Sequence, residues 1–505
     1  MRPLSALFLS FLFSLSSFAA NALGAKPLDP KGVDRLMNET MRAWQIPGAS
    51  IAIVQNDQVV FLKGYGTKEL GGKEAVTPDT LFQIASTTKA FTSTSLAMLA
   101  SDKKLDFDDP VRKHVPYFRL SDMCADQAVT LRDIVSHRTG LSRHDELWDD
   151  TALTREDVIR ALSNIALTKP FRSAYQYQNI TFITAGEAVA HAAGMSWDDF
   201  VKTRIFAPLK MTNTVTTDAA WNAADHATGY RFDWKTGAMR PRRGADTTTI
   251  GPGGAIKSSA RDMANWIRFH LAGGKFEGTQ LVDADRLAET KKPHTVIPLE
   301  GATGEVNPET QLMAYAMGWN VSDYKGELLV AHAGALNGFR THVILLPKRN
   351  AGMFITINVE RGYSLYAMRH AIADLLLTGK TSRDWNAYYL ALERKTDEKS
   401  EKDKEARLAK RVADTKPTRP LAEYAGVYEN PSYGPVTIHA ANGGLVLQWQ
   451  RIDAPLTHYH YDVFDTNAED VEETVTFNLD EEQKVKSLTV FGERFEHAVS
   501  GGREP

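Results

Sequence analysis

The sequence predicts an α+β protein: an antiparallel sheet flanked by helices with an inserted helical subdomain, followed by a small all-β barrel or sandwich. Three observations support this prediction. β-Favouring runs form hairpin patterns near both ends of residues 26–379, helical periodicity dominates between them, and short β runs with turn signals fill residues 419–505. A sheet assembled from distant hairpins, with helices inserted between them, is typical of α+β domains.

Composition limits the class of protein. The chain has 505 residues, 43% of them hydrophobic and 24% charged, so it can bury a large core in two or three folding units. The formal net charge of -3 gives no general attraction to nucleic acid, which favours a basic surface. Cys124 is the only cysteine, and this excludes both an intramolecular disulfide and a cysteine-based zinc site.

Residues 1–25 have the pattern of a signal peptide. Arg2 precedes an apolar stretch over residues 4–18 that is short and rich in serine, and small residues follow at 20–22. An uncleaved anchor is the alternative. No later stretch reaches the roughly 18 apolar residues of a spanning helix. We therefore expect an exported protein, periplasmic or secreted, with no stable membrane span after signal removal.

The catalytic region is predicted at residues 26–379. A first hairpin covers residues 49–66 and turns at Asn56-Asp57, and a second joins 339–346 to 353–359 before a helix at 364–377. Helical patterns between the hairpins cover residues 90–100, 131–136, 155–166, 184–193 and 260–271. We expect the two hairpins to share one sheet and these helices to form the insertion.

The composition changes after Gly379. Residues 380–418 are rich in Lys, Glu, Asp and Arg, which predicts a charged, solvated helical linker. Short β runs follow at residues 436–439, 445–449, 474–479 and 486–491. Residues 419–505 are therefore predicted to form the small carboxy-terminal β domain.

Ser86 and Lys89 are the first candidate catalytic pair. They lie one turn apart at the start of a predicted helix and so share a face. A lysine can take a proton from a serine hydroxyl only if burial or nearby positive charge lowers its pKa. The pattern alone is weak: it recurs at Ser101 and Lys104 in a polar loop, and a helix-capping serine is the alternative.

Tyr177 and Asn179 form the second candidate motif, just before the helical pattern that follows residue 180. The phenol or phenolate of Tyr177 can relay a proton, and the Asn179 amide can donate to a substrate carbonyl. An aromatic core residue followed by a turn asparagine is the structural alternative.

His332 and Gly334 form the third motif, at the end of a β run and before the second hairpin. His332 would place a cation or a donor beside the nucleophile, and Gly334 would allow a close backbone approach. The backbone N–H of Ala335 would then complete an oxyanion hole with that of Ser86. A core histidine is the alternative.

In this order the three motifs resemble the serine β-lactamase/DD-peptidase superfamily of penicillin-binding-protein-like enzymes, specifically its class C β-lactamase, D-aminopeptidase and esterase branch. Residues 80–85, 104–110, 137–141 and 251–255 also look like family segments. Lys235-Thr236-Gly237 matches the family's third motif literally. We reject it because it follows Tyr177 too soon and is typical of a tight turn between two short strands.

The resemblance implies an acyl-enzyme mechanism without a metal or organic cofactor. Ser86 would attack a carbonyl while Lys89 and Tyr177 carry its proton, and Tyr177, aided by His332, would activate the deacylating water. The resemblance also implies a small-molecule or short-peptide substrate. The β-rich tail is similar to a domain of some family members that is suspected to act in substrate access or assembly, and the oligomeric state stays open.

Two departures from the family pattern affect the expected substrate. His332 and Ala333 stand where β-lactamases of this branch carry a lysine and a hydroxyl residue. Histidine is charged only part of the time near neutral pH, and Arg340 is a candidate replacement anchor for a substrate carboxylate. The resemblance thus favours hydrolysis of amide bonds in short peptides, including peptides with D-residues, over hydrolysis of penicillins.

Three alternatives stay open at this point. The first is a carboxylesterase of the same family. The second is a penicillin-binding or sensor protein that is acylated without turnover. The third places the function in the tail, where alternating histidines and tyrosines at 458–461 would bind a metal or a glycan, although such alternation also describes a strand with two different faces.

Overall fold

The structure is a computed structural model that describes residues 27–441, 443–468 and 471–498. The predicted signal peptide lies outside these residues. The α-helices are α1 (Pro30–Trp44), α2 (Thr88–Ser101), α3 (Val111–His114), α4 (Met123–Ala128), α5 (Leu131–Val135), α6 (Arg155–Ala161), α7 (Ile180–Ala193), α8 (Trp197–Val201), α9 (Asp218–Ala223), α10 (Ala260–Leu271), α11 (Ala284–Glu289), α12 (Ala302–Glu305), α13 (Gly362–Thr378) and α14 (Trp385–Ala409).

The strands fall into a main sheet, a barrel and three short hairpins or bridges. Before the barrel they are β1 (Gly48–Gln55), β2 (Gln58–Gly66), β3 (Phe82–Gln83), β4 (Tyr230–Asp233), β5 (Ala238–Pro241), β6 (Lys257–Ser258), β7 (Lys275–Phe276), β8 (Thr279–Gln280), β9 (Thr295–Val296), β10 (Met313–Tyr315), β11 (Asn320–Tyr324), β12 (Glu327–Leu336), β13 (Phe339–Leu346) and β14 (Ala351–Ile357). The barrel strands are β15 (Gly426–Asn430), β16 (Gly434–Ala441), β17 (Gly444–Trp449), β18 (Ile452–His460), β19 (Val463–Thr466), β20 (Thr474–Leu479), β21 (Val485–Val490) and β22 (Glu493–His497).

The main sheet joins the two ends of the catalytic region, and the predicted α+β class is confirmed. Its order is β2-β1-β14-β13-β12-β11-β10-β9. The first and last hairpins meet where β1 pairs with β14, with Ile51 opposite Ile355. Every residue of β1 is buried, because helices cover both faces of the sheet at this point. That burial explains why β1 lacks the alternation of apolar and polar residues that a half-exposed strand shows.

Helices cover the sheet in two layers. On one face, α1, α13 and α14 pack over residues such as Ile355, with Trp44 and Tyr389 in the same apolar cluster. On the other face, α10 packs against β1 and β14, where Phe91 of α2 stacks on Trp266 of α10. Because α2 lies between α10, α7 and the sheet, its residues are buried on all sides.

Residues 426–497 form a closed antiparallel barrel of eight strands, β15 to β22. This confirms the small carboxy-terminal β domain and selects the barrel over the sandwich. Closure leaves no unpaired strand edge within it. Large side chains fill the interior, including Tyr424, Tyr428, Trp449, Phe477 and Phe495.

Helix α14 begins inside the predicted linker, and its first turns are not solvated. Trp385 and Tyr389 lie four residues apart on one face and are buried against α13. The high charge content after residue 393 hid this apolar stripe in the sequence. Cys124 in α4 is exposed. The described residues include no helix with the length and apolarity needed to cross a bilayer.

Candidate active site

Ser86 lies in a short 3-10 turn, Ala85–Thr87, that leads directly into α2. The preceding residue, Ala85, has φ +48°, a left-handed conformation that costs free energy for a residue with a side chain. Such strained residues cluster at functional sites. The sharp turn presents the Ser86 side chain at the mouth of a buried helix, as the sequence motif predicts.

Gly334 brings β12 against this turn. A Cβ atom on Gly334 would lie 2.2 Å from the carbonyl oxygen of Ile84, so only glycine fits at this position without moving the backbone. Ala335 is the next residue of the strand and is exposed. The strand therefore passes beside Ser86 as expected, and the oxyanion-hole role of the Ala335 N–H stays a prediction.

The Lys89 amine is completely buried and contacts three oxygen atoms. Its Nζ lies 3.2 Å from Ser86 Oγ, and it donates to Asn179 Oδ1 and to the Gly253 carbonyl, each at 2.7 Å. A neutral amine has two N–H groups and one lone pair. The two neutral carbonyl oxygens can accept both N–H groups, which leaves the lone pair for the Ser86 hydroxyl.

Electrostatics favour that neutral amine. Burial lowers the pKa of Lys89 well below its usual 10.5, while the negative charge of Asp145 opposes the shift and the positive charge of Arg143 adds to it. Desolvation is the dominant cause because the charged form has lost its water. Lys89 can therefore accept a proton from Ser86 near neutral pH.

Tyr177 completes the group around Ser86. Its hydroxyl shares a hydrogen bond with the Ser86 side chain, and this bond lowers the pKa of Tyr177 while burial, the larger effect, raises it above 10. The phenol is thus protonated at neutral pH and serves as a donor. The Lys89 Nζ lies 4.9 Å from the centre of its ring. The structure brings Ser86, Lys89 and Tyr177 together.

Asn179 is engaged at both ends of its amide. Its Oδ1 accepts from Lys89, and its Nδ2 donates to Asp145 Oδ1 at 2.8 Å. The structure therefore shows Asn179 as a partner of the buried amine. Donation to a substrate carbonyl through the second Nδ2–H stays a prediction.

His332 is a neutral, fully engaged side chain in the described structure. Its Nε2 lies 2.9 Å from the Tyr315 hydroxyl, and its Nδ1 lies 2.6 Å from the Ala333 carbonyl. Burial first, and the charge of Lys89 second, lower its pKa to about 3. The imidazole is therefore uncharged at neutral pH, and the role of His332 beside Tyr177 in deacylation stays a prediction. The imidazole lies near Tyr177, with ring centres 6.4 Å apart.

Arg340 does not join the site. The turn Asn337-Gly338 sets its pairing with Ala335 of β12, and β14 pairs it with Ile357. Its side chain therefore points to the sheet face that α13 covers, opposite His332. It donates to the carbonyls of Leu336 and Phe339 at 2.9 and 2.7 Å. The predicted carboxylate anchor is wrong because a residue close in sequence lies on the other face of the strand.

The motifs miss a loop that contacts the site. Arg143 lies over the Tyr177 ring at 5.3 Å, and Asp145 accepts hydrogen bonds from Asn179 Nδ2 and from Arg143 Nε, each at 2.8 Å. The Gly253 carbonyl, another missed group, comes from a segment that only the family resemblance marked. No spacing rule identifies Arg143 or Asp145, because tertiary contacts alone place them.

A cavity of about 570 Å³ adjoins the site on the side of Asp145 and is lined by both the catalytic region and the barrel. Asp145, Arg242 and Asn337 lie on one wall, and Glu473 and Phe491 lie on the barrel wall. The barrel therefore lines the cavity beside Asp145 together with the catalytic region. The described residues contain no group of three or more His, Cys, Asp or Glu side chains placed to hold a metal ion.

Comparisons with known proteins agree with this arrangement. The sequence profile described as Beta-lactamase matches residues 33–377, and one described as Domain of unknown function (DUF3471) matches residues 410–501. The chain is 29% identical over 428 residues to Unguisins hydrolase ungD' of Aspergillus campestris (strain IBT 28561), covering 82% of this chain and 78% of that protein. It is 27% identical over 344 residues to Protein flp of Staphylococcus aureus (strain COL), covering 67% and 65%.

Two solved structures share the fold over both the catalytic region and the barrel. One is the octameric penicillin-binding protein homologue from Pyrococcus abyssi, with a TM-score of 0.62, 21% identity, and coverage of 93% of this chain and 99% of that chain. The other is SurE, with a TM-score of 0.57, 20% identity, and coverage of 93% and 98%. Since the family profile spans more than half of the chain, the protein belongs to the Beta-lactamase family and is a serine hydrolase.

Proposed function

We propose that the protein forms an acyl-enzyme on Ser86 and hydrolyses amide bonds of short peptides, including peptides with D-residues. One observation carries the proposal: the fully buried Lys89 amine lies 3.2 Å from Ser86 Oγ while carbonyl oxygens of Asn179 and Gly253 occupy its other contacts. This is the arrangement of a neutral general base beside a nucleophile.

In the proposed acylation Lys89 and Tyr177 each transfer one proton and then return to their starting protonation states. Lys89 accepts the Ser86 proton as Oγ attacks the carbonyl carbon, and Tyr177 donates its phenolic proton to the leaving amine nitrogen. The backbone N–H groups of Ser86 and Ala335 hold the oxyanion. The proton on Lys89 then returns to Tyr177. In the second half Lys89 accepts a proton from the water molecule that attacks the acyl carbon. The ester bond to Ser86 Oγ then breaks, and Lys89 returns this proton to Oγ, which restores the serine hydroxyl and the neutral amine.

Two observations favour peptides over penicillins. The buried neutral His332 supplies no positive charge beside Ser86 for the carboxylate of a penicillin, and Arg340 lies on the other sheet face. In addition, one relative is named for hydrolysis of unguisins, and the fold neighbour SurE has been solved with D-Leu at a TM-score of 0.53. The D-Leu complex of SurE makes substrates with D-residues the first class to test.

The test uses the mature protein with a fluorophosphonate probe, a fluorescent penicillin, p-nitrophenyl esters, and D- and L-aminoacyl anilides. We expect turnover of anilides that disappears in Ser86→Ala and persists in the control Ser101→Ala, which alters the second Ser-x-x-Lys copy. Turnover of esters alone would make the protein an esterase. Labelling without turnover would make it a sensor, and activity that survives Ser86→Ala would identify another nucleophile.

We also propose that residues 1–25 direct export, so that the mature protein acts in the periplasm or outside the cell. The proposal rests on the charged, apolar and small-residue segments of the amino terminus. Amino-terminal sequencing of protein from an extracytoplasmic fraction should find a start between residues 21 and 26. An intact residue 1 in that fraction would contradict cleavage.

A further inference from the structure

We propose that the carboxy-terminal barrel acts as a clamp on the active site, with Tyr433 as a positioning residue. It holds the segment of residues 142–148, named here the clamp loop, and the clamp loop orients Asn179 and Tyr177. The inference rests on the proposed function, because the chemistry that the barrel would control is acylation of Ser86.

The clamp loop contacts the proton-carrying groups directly. Asp145 Oδ1 accepts from Asn179 Nδ2 at 2.8 Å, and this contact turns the amide oxygen of Asn179 toward Lys89. Asp145 Oδ2 accepts from Arg143 Nε at 2.8 Å, and Arg143 in turn lies 5.3 Å from the centre of the Tyr177 ring. The Asp145 carboxylate therefore positions two side chains. Asn179 contacts the base, Lys89, and Arg143 lies beside the acid, Tyr177.

The same loop is tied to the barrel through Tyr433. The Tyr433 hydroxyl lies 2.8 Å from His144 Nδ1 and also hydrogen-bonds the Glu146 carboxyl. Burial lowers the pKa of His144 against the opposing charge of Asp145, so the ring is neutral and offers one donor. With Nδ1–H donating to Tyr433 and Tyr433 O–H donating to Glu146, Nε2 is free to accept from Ser142 Oγ, 3.2 Å away.

Tyr433 is itself held rigidly. Asn430 Oδ1 accepts from the backbone N–H groups of Ser432 and Tyr433 at 2.7 and 3.1 Å, and the Tyr433 ring stacks on Phe491 with centres 6.1 Å apart. Neighbouring contacts fasten this turn to the catalytic region, since Ser432 Oγ donates to the Ala161 carbonyl at 3.2 Å. The barrel thus presents a buried hydroxyl from a fixed position.

The clamp loop depends on such contacts because it has little regular structure of its own. Its only helical turn within the described chain is the 3-10 turn Asp145–Leu147. Trp148 Nε1 donates to Asp145 Oδ1 at 2.8 Å within the loop. The side chains of His144 and Glu146 contact Tyr433 of the barrel. Loss of the Tyr433 hydroxyl would free both at once, and Arg143 and Asp145 lie directly beside them in the chain.

The test compares Tyr433→Phe with Tyr428→Phe in the full-length mature protein. Tyr428 is a matched control because its buried hydroxyl donates to the Tyr424 carbonyl inside the barrel, away from the catalytic region. We expect the rate of Ser86 labelling by a fluorophosphonate probe to fall about tenfold in Tyr433→Phe, equivalent to one lost ordering contact. The control should stay within about twofold of wild type, with a similar loss of thermal stability in both variants.

The pH profile of the Ser86 labelling rate distinguishes a loss of positioning from a general loss of stability. Asp145 raises the pKa of Lys89 more than Arg143 lowers it, and Arg143 lowers the pKa of Tyr177 more than Asp145 raises it. Release of the clamp loop removes both net effects, so the acidic and basic limbs of the labelling rate should move apart in Tyr433→Phe and stay in place in Tyr428→Phe.

Variants on the loop side complete the experiment. His144→Gln should also slow labelling, and the double variant with Tyr433→Phe should be no slower than Tyr433→Phe alone, because the His144 contact is one of those that Tyr433→Phe removes. Additive losses, or wild-type labelling and an unmoved profile in the single variants, would overturn the clamp. Absence of Ser86 labelling in wild type would instead refute the proposed function. If Tyr433→Phe folds poorly, His144→Gln decides the question alone.

Discussion

Lys89 shows how burial changes the chemistry of a single residue. Its amine has no solvent exposure, and its contacts are the hydroxyl of Ser86 and two neutral carbonyl oxygens. An exposed lysine is a cation at neutral pH and cannot accept a proton. Desolvation reverses this preference, and the same residue type becomes a base because of where α2 places it.

Lys89→Arg tests this property. A guanidinium stays charged at all accessible pH values, so we expect the rate of Ser86 acylation to fall about 10²- to 10⁴-fold. The wild-type rate should rise with pH through the lowered pKa of Lys89, without requiring pH 10. Stopped-flow or probe-labelling kinetics between pH 5 and about 9 measure both effects. The control is Lys104→Arg at an exposed position, and an equal loss in both variants would contradict the prediction.

Gly334→Ala tests the contact between β12 and the nucleophile turn. The new Cβ would lie 2.2 Å from the Ile84 carbonyl oxygen, so the backbone before Ser86 must move. We expect kcat/KM to fall about 100-fold, since a shift of about 1 Å at a reacting group has this effect. Gly444→Ala in the barrel is the control, because its Cβ would lie 3.8 Å from the nearest atom. Unchanged kcat/KM in Gly334→Ala would show that the turn tolerates displacement.

Sequence patterns located the central residues of the site because each belongs to a motif with a local structural cause. Ser86 and Lys89 share a helix face, and Tyr177 precedes α7. Proximity in sequence wrongly placed Arg340 in the site. The two-residue turn Asn337-Gly338 fixes the hairpin register, and strand alternation then puts Arg340 on the sheet face opposite His332. The sequence therefore held the information needed to exclude it. Asp145 had no such signal, because its partners come from distant segments.

At the level of elements, a buried carboxylate joins three parts of the sheet's outer layer. Asp374 of α13 accepts from Tyr324 of β11 at 2.9 Å, from Ser382 Oγ at 2.7 Å, and from Trp385 of α14 at 2.9 Å. Lys325 also donates to it at 2.5 Å. The charged composition after Gly379 predicted a solvated linker, but these contacts hold the start of α14 against the catalytic region.

Asp374→Ala should therefore destabilise the fold strongly. It leaves the buried Tyr324 and Trp385 donors, and the more exposed Lys325 amine, without their acceptor. We expect a loss of about 3–5 kcal/mol in unfolding free energy. Asp384→Ala, which removes only the helix cap of α14, should cost about 1 kcal/mol. Urea unfolding of both variants measures the difference. Equal losses would mean that Asp374 contributes no more than a cap.

At the scale of the whole molecule, several buried histidines couple folding to pH. Burial lowers the pKa values of several histidines well below 6.5, among them His137, His270, His342 and His370. In the unfolded chain each takes up a proton as the pH falls below about 6.5. Because the folded state does not, unfolding becomes more favourable with acidification.

His270→Phe isolates one of these contributions. His270 packs among Trp266, Phe269 and Trp319, and neither of its ring nitrogens has a hydrogen-bond partner among the described residues. We expect the variant to be more stable than wild type, by about 2 kcal/mol more at pH 5 than at pH 7. Denaturant midpoints at the two pH values test this, with His191→Phe at an exposed site as control. A pH-independent difference would contradict the assigned shift.

The exposed thiol of Cys124 on α4 limits each molecule to one disulfide in oxidising surroundings. With one cysteine per chain, and that cysteine at the surface, air oxidation can join two copies through Cys124 and then finds no second thiol to link. Covalent aggregation therefore stops at a pair. The single thiol also lets a maleimide dye attach at one known position without any prior substitution.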